Sequence, residues 1–177
     1  MILSDKKLAN TGMISSVHDI QINPASVNLT LGTTFLVPKR AKNCVITLGD
    51  EVEYTRFEVV DPQDGFILRP GQFALATTRE HVKLPPNLAA FVQGRSSIGR
   101  IGLTTQNAGF VDPGFHGHIT LELVNESPNA IILKPGYPVA QLVFFETYQA
   151  EKPYCGKYNG QIEATGSRMH MDKKERV

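Results

Sequence analysis

The sequence lacks several features that would assign it to a common functional class. Its 177 residues include only two cysteines, Cys44 and Cys155, which lie far apart, and this excludes a disulfide framework or a zinc knuckle. The formal net charge is +1, so no general electrostatic attraction to nucleic acid or to an anionic membrane is expected. No apolar run approaches the roughly 20 residues of a membrane span, and no signal-peptide pattern is present. We therefore expect a cytoplasmic protein with neither nucleic acid nor a membrane as partner.

Two catalytic motifs of nucleotide-handling proteins are also missing. The zinc nucleoside deaminases need H-x-E followed by P-C-x-x-C, and no histidine of this chain has a glutamate two positions later. A phosphate-binding loop of the form G-x-x-x-x-G-K-[ST] does not occur either, which excludes that class of nucleotidase. His116 and His118 share one face of a strand, but no third ligand cluster accompanies them, so no metal site is predicted.

The chain has little that could form long helices, because eleven prolines are spread along it. A short helix is predicted within residues 1–10, with Ser4 as its N-cap. Alternating apolar and polar residues predict a half-buried strand over 24–32. Two further strands are predicted over 45–48 and 57–60.

A strand–turn–strand pattern occurs twice, over 66–76 and 131–142. In each copy a basic residue precedes Pro-Gly, with proline at the second and glycine at the third turn position, which suits a type II turn. We interpret the copies as two hairpins that form related corners of a compact all-β barrel or sandwich. This mainly β domain is expected to occupy residues 1–150.

Residues 151–177 differ in composition from the rest, being polar, rich in glycine and dotted with tyrosine. They could be a frayed tail. They could equally be a flap that becomes ordered over a ligand, with tyrosines to stack and lysine to meet phosphate. Residues 172–176 are expected to be disordered.

One stretch, 94–100, has the composition of an oxyanion site. Arg95 and Arg100 supply planar forks of donors with fixed charge, while Ser96 and Ser97 add neutral hydroxyl donors. Glycines let the backbone approach a ligand closely. A polyphosphate is the most plausible ligand; a solvated basic loop is the alternative.

The strand predicted over 116–124 carries a carboxylate in an unusual place. By the period of two, Glu122 lies between Thr120 and Val124 on the face opposite the apolar residues. There it could meet a second buried surface, such as a subunit interface, which would raise its pKa to suit a general acid–base. An ordinary exposed strand glutamate is the alternative. Asp112, in an Asp-Pro-Gly sequence, would on its own be read as a turn residue.

Taken together, these motifs closely resemble the dCTP deaminases of the dUTPase superfamily. The resemblance rests on Gly-Arg-Ser-Ser-Ile-Gly-Arg-Ile-Gly-Leu over 94–103 and on Ala-Gly-Phe-Val-Asp-Pro-Gly-Phe-x-Gly-x-Ile-Thr-Leu-Glu-Leu over 108–123. The N-terminal motif over 24–32 and a C-terminal motif over 154–161 occur in the same order. The match covers nearly the whole chain.

The resemblance implies a distorted β-barrel or jelly-roll protomer with a short N-terminal helix and a C-terminal flap. It also implies a homotrimer with nucleotide sites at the subunit interfaces. The activity implied is a zinc-free deamination of dCTP. Mg²⁺ would be bound through the triphosphate, with no metal ligand from the protein, and dTTP is a possible inhibitor.

The same resemblance implies roles for individual residues. Glu122 would shuttle protons and activate the water that attacks C4 of cytosine. Ser96 and the backbone at Ala108 would position that water. Asp112 would hold the deoxyribose, and Arg100 would reach the triphosphate from a neighbouring subunit. The full set of implied nucleotide contacts is Arg95, Ser96, Ser97, Ile98, Gly99, Arg100, Asp112, Thr120, Leu121, Glu122, Gln141, Tyr154, Lys157 and Gln161.

Two positions bear on the products. Plain dUTPases usually carry an apolar residue where this chain has Glu122. Deaminase-only bacterial enzymes typically have a Thr-Ala-His-Arg type of sequence where this chain has Asn-Ala-Gly-Phe over 107–110. Ala108 and Gly109 look like the bifunctional dCTP deaminase–dUTPases, with Gly109 leaving room near the water site. Asp112 would then also support attack of water at the α-phosphorus. Asn107 departs from the usual threonine and leaves the relative rates open.

The prediction is therefore a hydrolase that converts dCTP to dUMP, pyrophosphate and ammonia, supplying dUMP for thymidylate synthesis. The first alternative is a deaminase that stops at dUTP. A dUTPase without deaminase activity and a non-catalytic nucleotide-binding regulator are further alternatives.

Overall fold

The computed structural model describes residues 1–61, 63–105 and 109–175, and for 173–175 the backbone alone. Within these ranges the helices are short: α1 Asp5–Leu8, α2 Ser96–Gly99 and a 3-10 helix over Met169–Glu175. The strands, in chain order, are β1 Ile14–Ser15, β2 Ile22–Asn23, β3 Ser26–Pro38, β4 Tyr54–Glu58, β5 Phe66–Leu68, β6 Phe73–Lys83, β7 Leu88–Gly94, β8 Leu103–Thr105, β9 Phe110–Val111, β10 His116–Asn125, β11 Ile131–Leu133 and β12 Pro138–Glu146. The expected mainly β architecture is confirmed.

Strand β3 joins the two halves of a curled antiparallel sheet. Its first part pairs with β12, with Val27 opposite Leu142, and its second part pairs with β6, with Leu36 opposite Leu75. The sheet order is β8-β10-β6-β3-β12-β7-β9, while β1 pairs with β6, and β2 and β4 pair with β3. The apolar side chains enclosed by this curl form the core, including Phe35, which is fully buried.

Strand β3 is buried on both faces, so the prediction of a half-buried strand was wrong. Thr30 is only 8% exposed, and Glu80 accepts both its backbone N–H at 2.8 Å and its hydroxyl at 2.7 Å. Asn28 donates its side-chain amide to Gln21 at 2.9 Å. Because these polar side chains find partners, they can be buried opposite the apolar ones.

The two Pro-Gly turns are confirmed, but the two hairpins are not. Gly71 and Gly136 have φ of 71° and 82°, the left-handed conformation that a type II turn requires at its third position. The strands before the turns, β5 and β11, pair with each other in a separate two-stranded sheet, with Ile67 opposite Ile132. The repeat therefore builds two related corners that meet.

Other predicted elements differ at their limits. The N-terminal helix spans a single turn after Ser4, whose side chain makes no cap hydrogen bond. The strand predicted over 57–60 is β4, which begins at Tyr54. The strand predicted over 45–48 is absent: this described stretch is a loop in which Val45 is 68% and Leu48 is 90% exposed. No described helix is long and apolar enough to span a membrane.

Candidate active site

A cavity of about 500 Å³ opens beside the middle of β10. We call it the Glu122 cavity. Of the residues predicted to contact a nucleotide, it brings together Asp112, Thr120, Leu121, Glu122, Tyr154 and Gln161. Phe73 and Leu75 of β6 supply apolar wall, as do Val111 of β9 and Phe115, the residue before β10. The cavity thus combines a few polar groups with apolar walls, as small-molecule sites usually do.

Glu122 occupies the position that the alternating pattern predicts. Along β10 the residues alternate between buried and half-buried, with Leu121 and Leu123 on the core face and Glu122 on the cavity face. Glu122 lies opposite Leu75 of β6. Burial raises the pKa of its carboxyl group, and none of the described residues makes a hydrogen bond or ion pair with it. Burial disfavours the charged form of a carboxyl group, and a carboxyl with a raised pKa suits a role in proton transfer.

Asp112 lies in a turn and at the edge of the cavity at once. Its carbonyl accepts the backbone N–H of Phe115 at 3.1 Å, and Gly114 has φ of 92°, so the turn interpretation is confirmed. The Asp112 side chain is exposed at the cavity. One short sequence therefore fixes the turn and presents a carboxylate.

The segment over 151–175 folds back along β10. Tyr154 donates its backbone N–H to the carbonyl of Pro113 at 2.7 Å, and the backbone N–H of His118 donates to Gln161 at 2.9 Å. The side chain of Gln161 returns a hydrogen bond to the carbonyl of His118 at 2.7 Å. Tyr154 and Gln161 thereby become walls of the cavity, whereas movement of this segment as a flap stays a prediction.

Lys157, in contrast, is not among the residues that line the cavity. Its ammonium group pairs with Asp172 of the 3-10 helix and lies 5.6 Å from the centre of the Tyr158 ring. Residues 172–176 were expected to be disordered. Of these, residues 172–175 form the end of the 3-10 helix Met169–Glu175.

The second predicted group, over 95–100, lies on α2 and outside the Glu122 cavity. Ser96, Ser97 and Arg100 are exposed. Arg95 donates to the carbonyl of Pro138 at 3.0 Å. Ile98 is only 5% exposed, so its side chain anchors α2 in the core.

Gln141, on β12, also lies outside the cavity. It stands opposite Gln93 of β7, and its side-chain oxygen accepts the Ser26 hydroxyl proton at 3.2 Å. Within one protomer, the arginine–serine group, Gln141 and Glu122 are therefore not brought together.

Ala108 and Asn107 lie outside the described residues, so the prediction for the backbone at Ala108 remains one. Gly109 is described, and it has a packing reason for being glycine. A β carbon there would lie 2.7 Å from the carbonyl oxygen of Val92, closer than real contacts allow. Glycine is thus needed at 109 because the chain passes close to β7. The sequence analysis gave another reason, that Gly109 leaves room near the water site.

Sequence reasoning missed part of the cavity wall. Tyr54 of β4 lines the cavity, together with Thr165, Gly166 and Ser167. These residues belong to none of the motifs, and Tyr54 is more than a hundred positions from its neighbours in the wall. Thr105 of β8 was missed as well; its buried hydroxyl has no hydrogen-bond partner among the described residues.

The histidines near β10 are part of the fold around the C-terminal segment. The rings of His81 and His118 meet edge to face with centroids 5.5 Å apart. Burial, with further contributions from His118, His116 and Lys83, lowers the pKa of His81. Among the described residues, no three His, Cys, Asp or Glu side chains are grouped so as to hold a metal ion.

Known proteins match nearly the full length of this chain. A protein of Persephonella marina named dCTP deaminase, dUMP-forming, is 44% identical over 179 residues, covering 98% of this chain and 99% of that protein. A protein of the same name from a Sulfurihydrogenibium species is 46% identical over 181 residues, with 98% and 99% covered. A dCTP deaminase of Natronomonas pharaonis is 42% identical over 165 residues, covering 88% of this chain and 85% of that protein.

Solved structures show the same fold at lower identity. The 2'-deoxycytidine 5'-triphosphate deaminase of Agrobacterium tumefaciens superposes with a TM-score of 0.63 at 23% identity, covering 81% of this chain and 47% of that chain. The native EIAV dUTPase gives a TM-score of 0.52 at 19% identity, with 80% and 93% covered. Finally, the sequence profile of the dCTP deaminase-like family matches residues 2–147. The chain therefore belongs to the dCTP deaminase-like family.

Proposed function

We propose that this protein is a bifunctional hydrolase that converts dCTP and two water molecules to dUMP, pyrophosphate and ammonia. The observation that carries the proposal is the half-buried Glu122 carboxyl, with its raised pKa, in a cavity that also holds Asp112. Relatives that match the chain from end to end are named as dUMP-forming dCTP deaminases. Formation of dUMP, in place of dUTP, distinguishes this reaction from deamination alone.

In the first hydrolysis Glu122 acts as the proton shuttle. Its carboxylate accepts a proton from a water molecule whose oxygen attacks C4 of cytosine. The protonated carboxyl then delivers that proton to the exocyclic nitrogen, the C4–N bond breaks, and ammonia leaves with the electron pair. The proton of the remaining C4 hydroxyl ends on N3, which gives the uracil carbonyl. A carboxyl whose pKa lies nearer neutrality serves both directions of transfer. Ser96 and the backbone at Ala108 would position the water.

In the second hydrolysis a water molecule attacks the α-phosphorus of dUTP and pyrophosphate leaves. Asp112, exposed at the cavity edge, would accept the water proton in addition to holding the deoxyribose. Arg100 would counter the charge that develops on the phosphates.

Mg²⁺ fits this site as a phosphate-bound ion. Mg²⁺ prefers oxygen ligands and usually binds through phosphates, waters and one or two carboxylates. The described residues group no three metal-ligating side chains, so the oxygen ligands would come from the triphosphate and no residue of the protein is assigned as a ligand. When bound, the ion supplies charge neutralisation on the triphosphate.

The working form would be a homotrimer with sites shared between subunits. Support comes from the separation within one protomer: Ser96, on α2, and Arg100, directly after α2, are exposed and lie outside the Glu122 cavity. A neighbouring subunit would bring its α2 to that cavity. The closed cyclic symmetry of a homotrimer would give each of its cavities the same neighbouring α2.

The remaining nucleotide contacts follow from the cavity and α2. Tyr154 and Gln161 would hold the sugar and base, while Arg95, Ser97, Gly99, Gln141 and Lys157 would complete the pocket for the triphosphate. A pocket of this kind could also take dTTP as an inhibitor. The substrate pool for such a reaction is in the cytoplasm, where we place the protein.

A product assay tests the proposal. Incubation of the purified protein with dCTP and Mg²⁺ should yield dUMP, pyrophosphate and ammonia in equal amounts. Accumulation of dUTP without pyrophosphate would establish the deaminase-only alternative, and inertness toward dCTP with hydrolysis of dUTP would establish a dUTPase.

A further inference from the structure

Strand β4 carries an arginine that holds the C-terminal segment by a two-pronged ion pair. Both terminal nitrogens of Arg56 contact the carboxylate of Glu163, one of them at 3.0 Å. The nitrogen that lies 3.0 Å from Glu163 also contacts the carboxylate of Glu58, at 3.2 Å. Arg56 and Glu163 are each about half exposed, so this pair is in contact with solvent and contributes little stability on its own.

Two residues earlier on β4, Tyr54 contacts the same segment through a hydrogen bond and close packing. Its hydroxyl accepts the backbone N–H of Ser167 at 3.1 Å. Its ring lies so close to Gly166 that a β carbon there would be 2.5 Å from the ring. Only glycine allows this contact, and it places Tyr54 in the wall of the Glu122 cavity.

A third attachment connects the segment to the catalytic strand itself. The backbone N–H of Thr165 donates to the Thr120 hydroxyl at 3.1 Å, two positions before Glu122 on β10. Ala164, just before it, is only 8% exposed. Residues 163–167, which we call the wall segment, are thus fixed at three points and close one side of the cavity.

We propose that Tyr54 and Arg56 are positioning residues that hold the wall segment closed while dUTP, formed by the first hydrolysis, awaits the second. This inference rests on the proposed function. The two hydrolyses act at opposite ends of the nucleotide, and both can follow from one binding event only if the intermediate stays bound after ammonia leaves. An exposed ion pair is weak enough to admit dCTP and release dUMP, and the two-pronged geometry of arginine fixes the direction of closure.

The proposal predicts that loosening the wall segment changes the products more than the first step. With labelled dCTP and an excess of unlabelled dUTP as a chase, the unaltered protein should give labelled dUMP with little labelled dUTP. Arg56→Glu should raise the fraction of labelled dUTP by about fivefold, as expected for loss and reversal of an exposed ion pair. Its rate of ammonia release should stay close to that of the unaltered protein.

Charge exchange supplies the rescue. The double variant Arg56→Glu/Glu163→Arg restores an opposite-charge pair and should return labelled dUMP as the main product. A matched control exchanges another exposed pair, Lys7 and Glu146, whose charged groups are 2.7 Å apart, and should leave the product ratio unchanged. Tyr54→Phe, which removes only the hydroxyl, should leak dUTP without unfolding the protein.

The outcomes distinguish the positioning role of Tyr54 and Arg56 from the proposed bifunctional reaction. If the unaltered protein forms no dUMP from dCTP, the proposed function is wrong. If it forms dUMP and neither Arg56→Glu nor Tyr54→Phe releases more dUTP, the positioning role is wrong. Leakage that the charge exchange fails to reverse would also overturn the role of the ion pair.

Discussion

Val92 donates its backbone N–H to the carbonyl of Gly109 at 2.8 Å, and a β carbon at Gly109 would lie 2.7 Å from the carbonyl oxygen of Val92. Strand β7 therefore approaches the chain at Gly109 so closely that any side chain would force the strands apart. The glycine that suggested bifunctional chemistry is also required by this packing.

We expect Gly109→Ala to lower the free energy of unfolding by about 1–3 kcal/mol, as overpacking usually does. Gly99→Ala is the matched control, because nothing lies within 4 Å of a β carbon at that position. Urea unfolding at one fixed protein concentration compares the two. Equal stability of both variants would contradict the close contact. A histidine at 109, as in the deaminase-only enzymes, should cost stability for the same reason.

Replacing Glu122 by glutamine should separate binding from chemistry. Glu122→Gln is expected to reduce ammonia release from dCTP by about 10²–10⁴-fold, the usual contribution of a positioned acid–base. Binding of dCTP should remain, since the amide fills the same space. Glu126→Gln, just beyond the end of the same strand, should retain activity. Near-normal turnover of Glu122→Gln would remove the assigned role.

The same variant should be more stable than the parent protein at neutral pH. Burial raises the pKa of Glu122 in the folded state, so ionising it destabilises the fold as the pH rises through that raised pKa. Below the ordinary glutamate pKa of about 4.3, both states are protonated and the advantage of glutamine should vanish. Thermal unfolding measured from pH 4 to pH 8 checks the trend. An advantage that grows toward acid would contradict it.

Mixed oligomers test whether the sites are shared between subunits. Arg100→Ala and Glu122→Gln should each be inactive alone. In trimers formed at random from equal amounts of both, about a quarter of the sites combine an intact Glu122 with an intact Arg100 from the neighbour. Co-expression followed by an ammonia assay should therefore recover about a quarter of the parent activity. No recovery at all would place both residues in one chain.

The buried hydroxyl of Thr105 offers a prediction about stability. Thr105 is 9% exposed, and its hydroxyl has no partner among the described residues. Thr105→Val keeps the shape and removes the unpaired group, so the free energy of unfolding should rise by about 1 kcal/mol. Thr104→Val is the neighbouring control; it loses an exposed hydrogen bond to Glu126 of 2.9 Å and should change stability by less than about 0.5 kcal/mol. A loss of stability at 105 would show that the hydroxyl has a partner.

Sequence reasoning succeeded where the determinant is local. The placement of Glu122 followed from the period of two along β10, because one buried face fixes the register of a strand. The turns at Gly71 and Gly136 followed from backbone conformations that proline and glycine set by themselves. The distance of α2 from the Glu122 cavity was not predictable from composition. It is what the family resemblance leads one to expect, since there Arg100 reaches the site from a neighbouring subunit.

Elements that depend on a partner far away in the chain could not be predicted from the sequence. The apolar run over 45–48 has strand propensity but no partner strand among the described residues, so it stays a loop. The pairing of β5 with β11 is non-local, and nothing in either copy of the repeat specifies the other copy as its partner. The contact between Tyr54 and Gly166 belongs to the same class, since neither residue signals the other.

Reaction in heavy-oxygen water shows whether one protein adds water first to the base and then to the α-phosphorus. We expect dUMP that carries two heavy oxygens, one at C4 of the uracil ring and one on its phosphate, together with unlabelled pyrophosphate. Mass spectrometry of the products measures both. A product of dUTP with a single heavy oxygen, or labelled pyrophosphate beside singly labelled dUMP, would contradict it.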